Sequence, residues 1–306
     1  MKLKNTLALS LAAVMAAGLT ACGSGADTAS AASPAADSTT AESTEAAADT
    51  AAPDGDGDPT TLTVAMECAY APYNWTQNDD ANGAVEIRGS SDYAYGYDVM
   101  MAKKIGEALG QKVQIVKLDW DSLIPAVMSG DVDCVIAGQS ITAERAAQVD
   151  FSDPYYYASI VTLTKKDSAY ANAASVADLA GATATSQLGT IWYDTCLPQI
   201  EGAQLMPASE TAPAMVMAVT SGTVDYICTD MPTAMGACAT YDNLVILDFS
   251  GSEDNFQVDA GEINIGISVV KGNTTLLDAM NAVLSGMTVE DMNQIMNEAI
   301  AVQPAI

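Results

Sequence analysis

Histidine is absent from the 306-residue chain, and arginine occurs only as Arg88 and Arg145. The first absence removes imidazole as a general base, a proton shuttle or a metal ligand. Bases are few altogether: 11 Lys and Arg stand against 39 Asp and Glu, for a net charge of −28 and a pI near 4.1. Such a surface excludes binding to a phosphate backbone and docking on anionic lipid, so no nucleic acid partner is expected. Cysteine is sparse. After Cys22 come Cys68, Cys134, Cys196, Cys228 and Cys238, irregularly spaced and without a CxxC pair. An odd number leaves at least one thiol free unless chains cross-link, and their apolar contexts read as small buried hydrophobes. No zinc-ligand spacing occurs, and no metal or cofactor is implied. Past the first 22 residues, no apolar run reaches the roughly 18 residues that a membrane-spanning helix needs.

Residues 1–22 form a targeting segment. Lys2 and Lys4 make a basic start, and residues 7–19 are an apolar run too short to span a bilayer. The run ends Leu19-Thr20-Ala21-Cys22, which resembles a bacterial lipobox with Cys22 as the lipidated residue. The alternative is an ordinary cleavage site followed by a free thiol. Residues 23–60 carry eight acids, no base, no aromatic residue and no Val, Ile, Leu or Met. They cannot bury a core and read as a disordered acidic linker. As a flexible coil the linker would reach on the order of 35 Å, a tether from a membrane.

From residue 61 the pattern is that of an alternating α/β domain. Residues 61–66, TLTVAM, read as a strand, with the aromatic loop 67–75 at its C-terminal end. Residues 76–96 read as a polar surface excursion, and residues 97–109 as an amphipathic helix closed by Gly110. Strands at 114–118 and 132–137 bracket a short helix at 123–128. Strand, helix, strand, helix, strand at these spacings predicts a parallel sheet, whose ligands bind beyond the strand C-termini. A second unit follows: strands at 161–165, 182–186, 224–229, 244–249 and 263–270, a helix from Ile191, another from Pro232, and closing helices at 276–284 and 289–301.

Residues 138–157, GQSITAERAAQVDFSDPYYY, read as strand end, tight loop and helix start, with Thr142 as N-cap. Arg145 then sits in the first turn, the wrong charge for a helix N-terminus. An external anion held by Ser140, Thr142, backbone N–H groups and the guanidinium fork would resolve the conflict. The alternative is a surface ion pair with Asp150 or Asp153.

The resemblance rests on several elements together: Tyr70-Ala71-Pro72-Tyr73, Gly96-Tyr97-Asp98-Val99, Trp120-Asp121-Ser122-Leu123-Ile124-Pro125-Ala126, Ser140-Ile141-Thr142-Ala143-Glu144-Arg145, Val149-Asp150-Phe151-Ser152-Asp153-Pro154-Tyr155, and Asp230. Across residues 61–301 the chain resembles the family 3 extracellular solute-binding proteins of bacterial amino-acid ABC transporters. That resemblance implies a periplasmic-binding-protein-like type II fold, two α/β lobes joined by two hinge strands. Lobe one would be 61–160 plus 264–306, and lobe two 161–263. It further implies that Arg145 and Ser140 bind a ligand α-carboxylate, with Thr190 as a second contact. Asp230 and the Gly138 carbonyl would take the α-ammonium, and Tyr70 and Trp120 would flank the side chain. As residues alone, Asp230 has the alternative of being only a helix N-cap, and Tyr70 and Trp120 that of being core. Glu67, one turn before Tyr70, points to a polar ligand, cationic ahead of cystine-like; otherwise it is a solvated loop acid. The sequence departs from the family pattern in the long 76–96 segment and in Ile191, and Gln139 and Gln187 are not diagnostic.

The expected role is an extracytoplasmic, lipid-anchored monomer that delivers a free amino acid to the permease subunits of an ABC transporter. Two rivals remain. One is a cyclohexadienyl-dehydratase-like enzyme on the same fold, with Glu67 as general acid. The other is an accessory ligand sensor.

Overall fold

The computed structural model describes residues 59–304. The targeting segment and all but the last two residues of the acidic linker lie outside the described residues. Among the described residues, no helix is long and apolar enough to cross a membrane.

The strand Thr61–Met66 is buried along its whole length, as a central strand covered on both faces should be. It pairs in parallel with Lys112–Lys117 on one side and Cys134–Val135 on the other. Ser268–Val269 and Asp150–Phe151 complete this five-stranded sheet in antiparallel register. The helix Tyr97–Leu109 covers it with Val99, Met101, Ala102 and Ile105, and Gly110 ends the helix in the left-handed conformation, φ 70°.

A second five-stranded sheet runs in the order Gln204–Leu205, Thr183–Thr185, Tyr226–Asp230, Ile160–Lys165, Leu244–Leu247. Its strand Tyr226–Asp230 shows the period of two plainly. Ile227 faces the large core shared with the first lobe, whereas Tyr226 and Cys228 face the smaller core with Trp192, Leu197 and Phe249. Each sheet with its helices is one lobe of a type II periplasmic-binding-protein fold. The chain leaves the first lobe through Tyr156–Tyr157 and returns through Asn264–Ile265, and these two short strands pair with each other. The five cysteines Cys68, Cys134, Cys196, Cys228 and Cys238 are free, the first four buried.

One local expectation is refined and two change. Residues 76–96 are a surface excursion, as expected, but one with strands of its own. Asn74–Gln77, Val85–Glu86 and Tyr93–Tyr95 join Ala69–Tyr70 in a four-stranded sheet, and Ile87 bridges to Ile115. The insertion thereby covers the exposed edge of the first sheet. The stretch 263–270 is two strands, not one. At Gly266, a side chain would strike Ile141 and Phe151 at 2.7–2.9 Å, and there the chain steps from the ribbon into the sheet. The helix expected from Ile191 is a π-turn, Trp192–Cys196, followed by a 3-10 turn, Leu197–Gln199, where Pro198 prevents regular α pairing.

Gly96 fixes the junction between the insertion and the first helix. Its φ is 127°, and a Cβ there would enter the Tyr73 carbonyl and lie 2.9 Å from Asn74 Cα. Gly96→Ala should therefore cost about 2–4 kcal/mol of stability. Urea denaturation tests this, and a variant as stable as the parent contradicts the junction as described.

Candidate ligand-binding site

The strand ends of the two lobes face each other across a seam, and each lobe sends polar groups into it. Among the described residues several hydrogen bonds cross it directly, one of them from Ala143 N to Glu262 Oε1 at 3.2 Å. The Tyr70 hydroxyl donates to Asp230 Oδ2 at 2.5 Å, Gln187 Nε2 donates to Glu67 Oε2 at 3.2 Å, and Arg145 Nη2 donates to the Gly189 carbonyl at 2.9 Å.

Arg145 sits on the helix Ala143–Gln148, N-capped by the Thr142 hydroxyl. The helix has only six residues, so Arg145 belongs to its last turn as much as its first. The expected conflict with the helix dipole therefore largely disappears, because Val149 already turns the chain toward the strand Asp150–Phe151. The surface ion pair is also absent: Asp150 pairs instead with Lys271 at 3.3 Å. The guanidinium turns into the seam, lies 5.4 Å over the Trp120 ring, and donates to the Ser140 carbonyl at 2.9 Å. Burial pushes its pKa down to about 10. Among the described residues it makes no salt bridge.

Asp230 is fully buried. It is the N-cap of the helix Met231–Thr240, so the capping alternative holds: Oδ1 accepts from Thr233 N at 2.9 Å and Oδ2 from Thr233 Oγ1 at 3.0 Å. Desolvation raises its pKa, and the hydrogen bonds from Tyr70 and Thr233 oppose that rise. None of its hydrogen-bond donors among the described residues is a base. Two aromatic rings contact the two charged groups, Trp120 beside Arg145 and Tyr70 beside Asp230. Trp120 meets Tyr70 edge-on at 6.4 Å between centroids, and both are buried. The core alternative thus also holds for their rings, while the Tyr70 hydroxyl reaches the second lobe.

Arg145, Trp120, Gln139 and Thr142 line a cavity of about 510 Å³ with Gly189, Thr190, Ile191 and Asp194 from the second lobe. Thr190 turns its hydroxyl inward to the Gln187 carbonyl at 2.7 Å. Ser140 is buried at the bridge to Ile265. Asp230, Tyr70 and Gly138 do not line this cavity, and Gly138 is pressed against the Tyr70 ring. Gln139 Oε1, on the cavity wall, and the Tyr73 hydroxyl are buried without a partner, which marks the seam as a place to receive polar atoms.

Trp120 and Asp121 separate this cavity from a second of about 330 Å³, lined also by Glu67, Asp119, Leu188, Glu210 and Thr211. Glu67 is 5% exposed and so is not the solvated loop acid. Burial raises its carboxyl to about 7. Asp119, Asp121 and Glu210 add three acids, and no base lines the cavity. Gln187, not diagnostic in the sequence, bonds Glu67, whereas Asp194, in the Trp192–Cys196 turn, and Glu210 carry no motif that singles them out. Among the described residues no cluster of His, Cys, Asp and Glu is arranged to hold a metal ion.

The profile of the bacterial extracellular solute-binding proteins, family 3, matches residues 62–300. The arginine-binding extracellular protein ArtP of Bacillus subtilis is 35% identical over 130 residues, 42% of this chain. The match spans 45% of that protein, about half its length. The L-cystine-binding protein TcyJ of Escherichia coli is 26% identical over 241 residues, 78% of this chain and 81% of that one. The crystal structure of the ancestral amino-acid-binding protein AncCDT-1, a precursor of cyclohexadienyl dehydratase, superposes with a TM-score of 0.63 at 28% identity. It covers 79% of this chain and 96% of that one.

Because burial raises the Glu67 carboxyl from an ordinary 4.5 to about 7, the folded state holds its proton more tightly. The resulting stabilisation is complete below pH 4.5 and is lost as pH rises to about 7. Glu67→Gln should remove that part of the slope. Urea titrations from pH 4 to 9 check it: the stability difference between parent and variant should fall across this window and then level off. Parallel profiles contradict the assignment.

Proposed function

The chain belongs to the bacterial extracellular solute-binding proteins of family 3, and from that membership we propose that it captures a free amino acid between its lobes for an ABC transporter permease. One observation carries the reading. A fully buried carboxylate and a partly buried guanidinium, each lacking an oppositely charged partner in hydrogen-bond contact, face one seam from opposite lobes. A zwitterion supplies both missing charges. Its carboxylate goes to Arg145, Ser140 and Thr190, and its ammonium to Asp230 and the Gly138 carbonyl, with Tyr70 and Trp120 beside the side chain. Bridging the lobes this way makes ligand binding favour closure.

The side chain extends toward Glu67. The acids around that cavity favour a cationic group over an apolar one, so arginine or lysine fits better than leucine or phenylalanine. The proposed lobe boundaries are 160/161 and 263/264; the pairing of Tyr156–Tyr157 with Asn264–Ile265 nearby supports them. The remainder of the role is a monomer anchored through lipid on Cys22, on the extracytoplasmic face of the membrane, with the acidic segment as tether. The raised carboxyl of Glu67 suits a general acid and keeps one second reading alive, a dehydratase acting on prephenate or arogenate. Formation of an aromatic product from either compound by the purified chain would replace the carrier with an enzyme.

A thermal-shift screen against the twenty amino acids and cystine tests the proposal. A ligand at 100 times its Kd adds about 2.7 kcal/mol of stability. Basic amino acids should give the largest shift, and leucine or phenylalanine in first place contradicts the assignment to Glu67. Arg145→Ala should cost about 2–5 kcal/mol of affinity by calorimetry, because it leaves a buried carboxylate unpaired. Unchanged affinity contradicts the carboxylate site.

A further inference from the structure

Asp98 and Tyr155 take no part in the seam, yet they form a buried chain of hydrogen bonds that ends at it. Asp98 lies in the first turn of the helix Tyr97–Leu109 and is fully buried. Its Oδ1 accepts from the Tyr155 hydroxyl at 2.7 Å, and its Oδ2 accepts from Asn74 Nδ2 at 2.7 Å. The Tyr155 hydroxyl has one proton and gives it to Asp98, so it presents a lone pair elsewhere. That lone pair accepts the backbone N–H of Gly138 at 2.9 Å. The direction runs one way throughout: Gly138 N–H to Tyr155 O–H to the Asp98 carboxylate. Bonds aligned like this strengthen one another, and the charge at the end strengthens them further.

The residue held is one whose conformation has to be enforced. Gly138 has φ 64°, and its α-carbon is so close to Tyr70 that a Cβ would meet the ring at 2.9 Å. The Gln139 carbonyl, one residue on, accepts from Gly266 N at 3.1 Å. The Gly138–Gln139 peptide is therefore pinned before and after, and the direction of the Gly138 carbonyl follows from those two anchors.

We propose that Asp98, acting through Tyr155, is a positioning residue for binding: the relay aims the Gly138 carbonyl at the ligand's α-ammonium. The inference rests on the carrier reading above. It assigns a role to two residues that touch no ligand and lie 57 positions apart in the sequence. Burial lifts the Asp98 carboxyl to about 7, against the hydrogen bonds from Tyr155 and Asn74 that favour its charged form. The relay thus requires donors on both oxygens, and it has them.

Calorimetry with L-arginine and with 5-guanidinopentanoate, which lacks the α-amino group, tests the proposal; L-glutamine and glutaramate serve where arginine gives no heat. Tyr155→Phe removes one hydroxyl and should lower affinity for the amino acid about tenfold, the effect of about one hydrogen bond. Affinity for the analogue should stay within about twofold. Asp98→Asn should lower amino-acid affinity less, about threefold, because the Asn74 amide can reverse to meet the new side chain. This variant also serves if Tyr155→Phe fails to fold. A general loss of structure would weaken both ligands alike, so the ratio between them separates positioning from folding. Equal losses for amino acid and analogue, or no loss for either, overturn the relay while leaving the carrier reading intact. Parent protein that binds no amino acid at all overturns the carrier reading, and the relay falls with it.

Discussion

A carboxylate buried in protein costs several kcal/mol unless hydrogen bonds and an opposite charge compensate for lost water. Asp230 has the hydrogen bonds, from Thr233 and Tyr70, but no base among its donors. The helix Met231–Thr240 gives its N-terminal N–H groups, a partial positive charge that offsets part of the cost. The remainder is a standing preference for a cation, and a protein that keeps such a group at a seam between lobes has kept a place for one. Arg145 poses the complementary problem from the other lobe: its fork is met by two carbonyls and a ring face, none of which carries a full negative charge.

The rest of the architecture makes these two groups meet a third party. The only paired strands between the lobes are the short stretches Tyr156–Tyr157 and Asn264–Ile265 among the described residues, a connection of little stiffness. The direct bonds across the seam are few, and each uses a group that also faces a cavity or the Asp230 pocket. A ligand that satisfies both charges adds to the closed state what these bonds alone do not supply, and differential contact of that kind is what shifts a population.

Much of this was legible in the residues. The strand at 61–66, the helix pattern of 97–109 and the motif run from Ser140 to Tyr155 pointed to the α/β fold and to the guanidinium. The dipole argument at Arg145 misjudged the length of a helix that Val149 ends after two turns, although the guanidinium still faces the seam. The state of Glu67 could not be read, because burial of a loop acid depends on Gln187 and Leu188 arriving from the other lobe. Periodicity describes single elements, so it was silent on Asp98 and Tyr155. It was equally silent on the insertion at 76–96, whose place is set by the open edge of a sheet formed elsewhere in the chain.

The most direct measurement is a crystal structure of the chain grown with its tightest-binding amino acid. The account predicts the ligand carboxylate within hydrogen-bond distance of the Arg145 guanidinium and its ammonium within the same distance of Asp230, enclosed between the lobes. A ligand bound with its ammonium away from Asp230, or seated on one lobe alone, would contradict it.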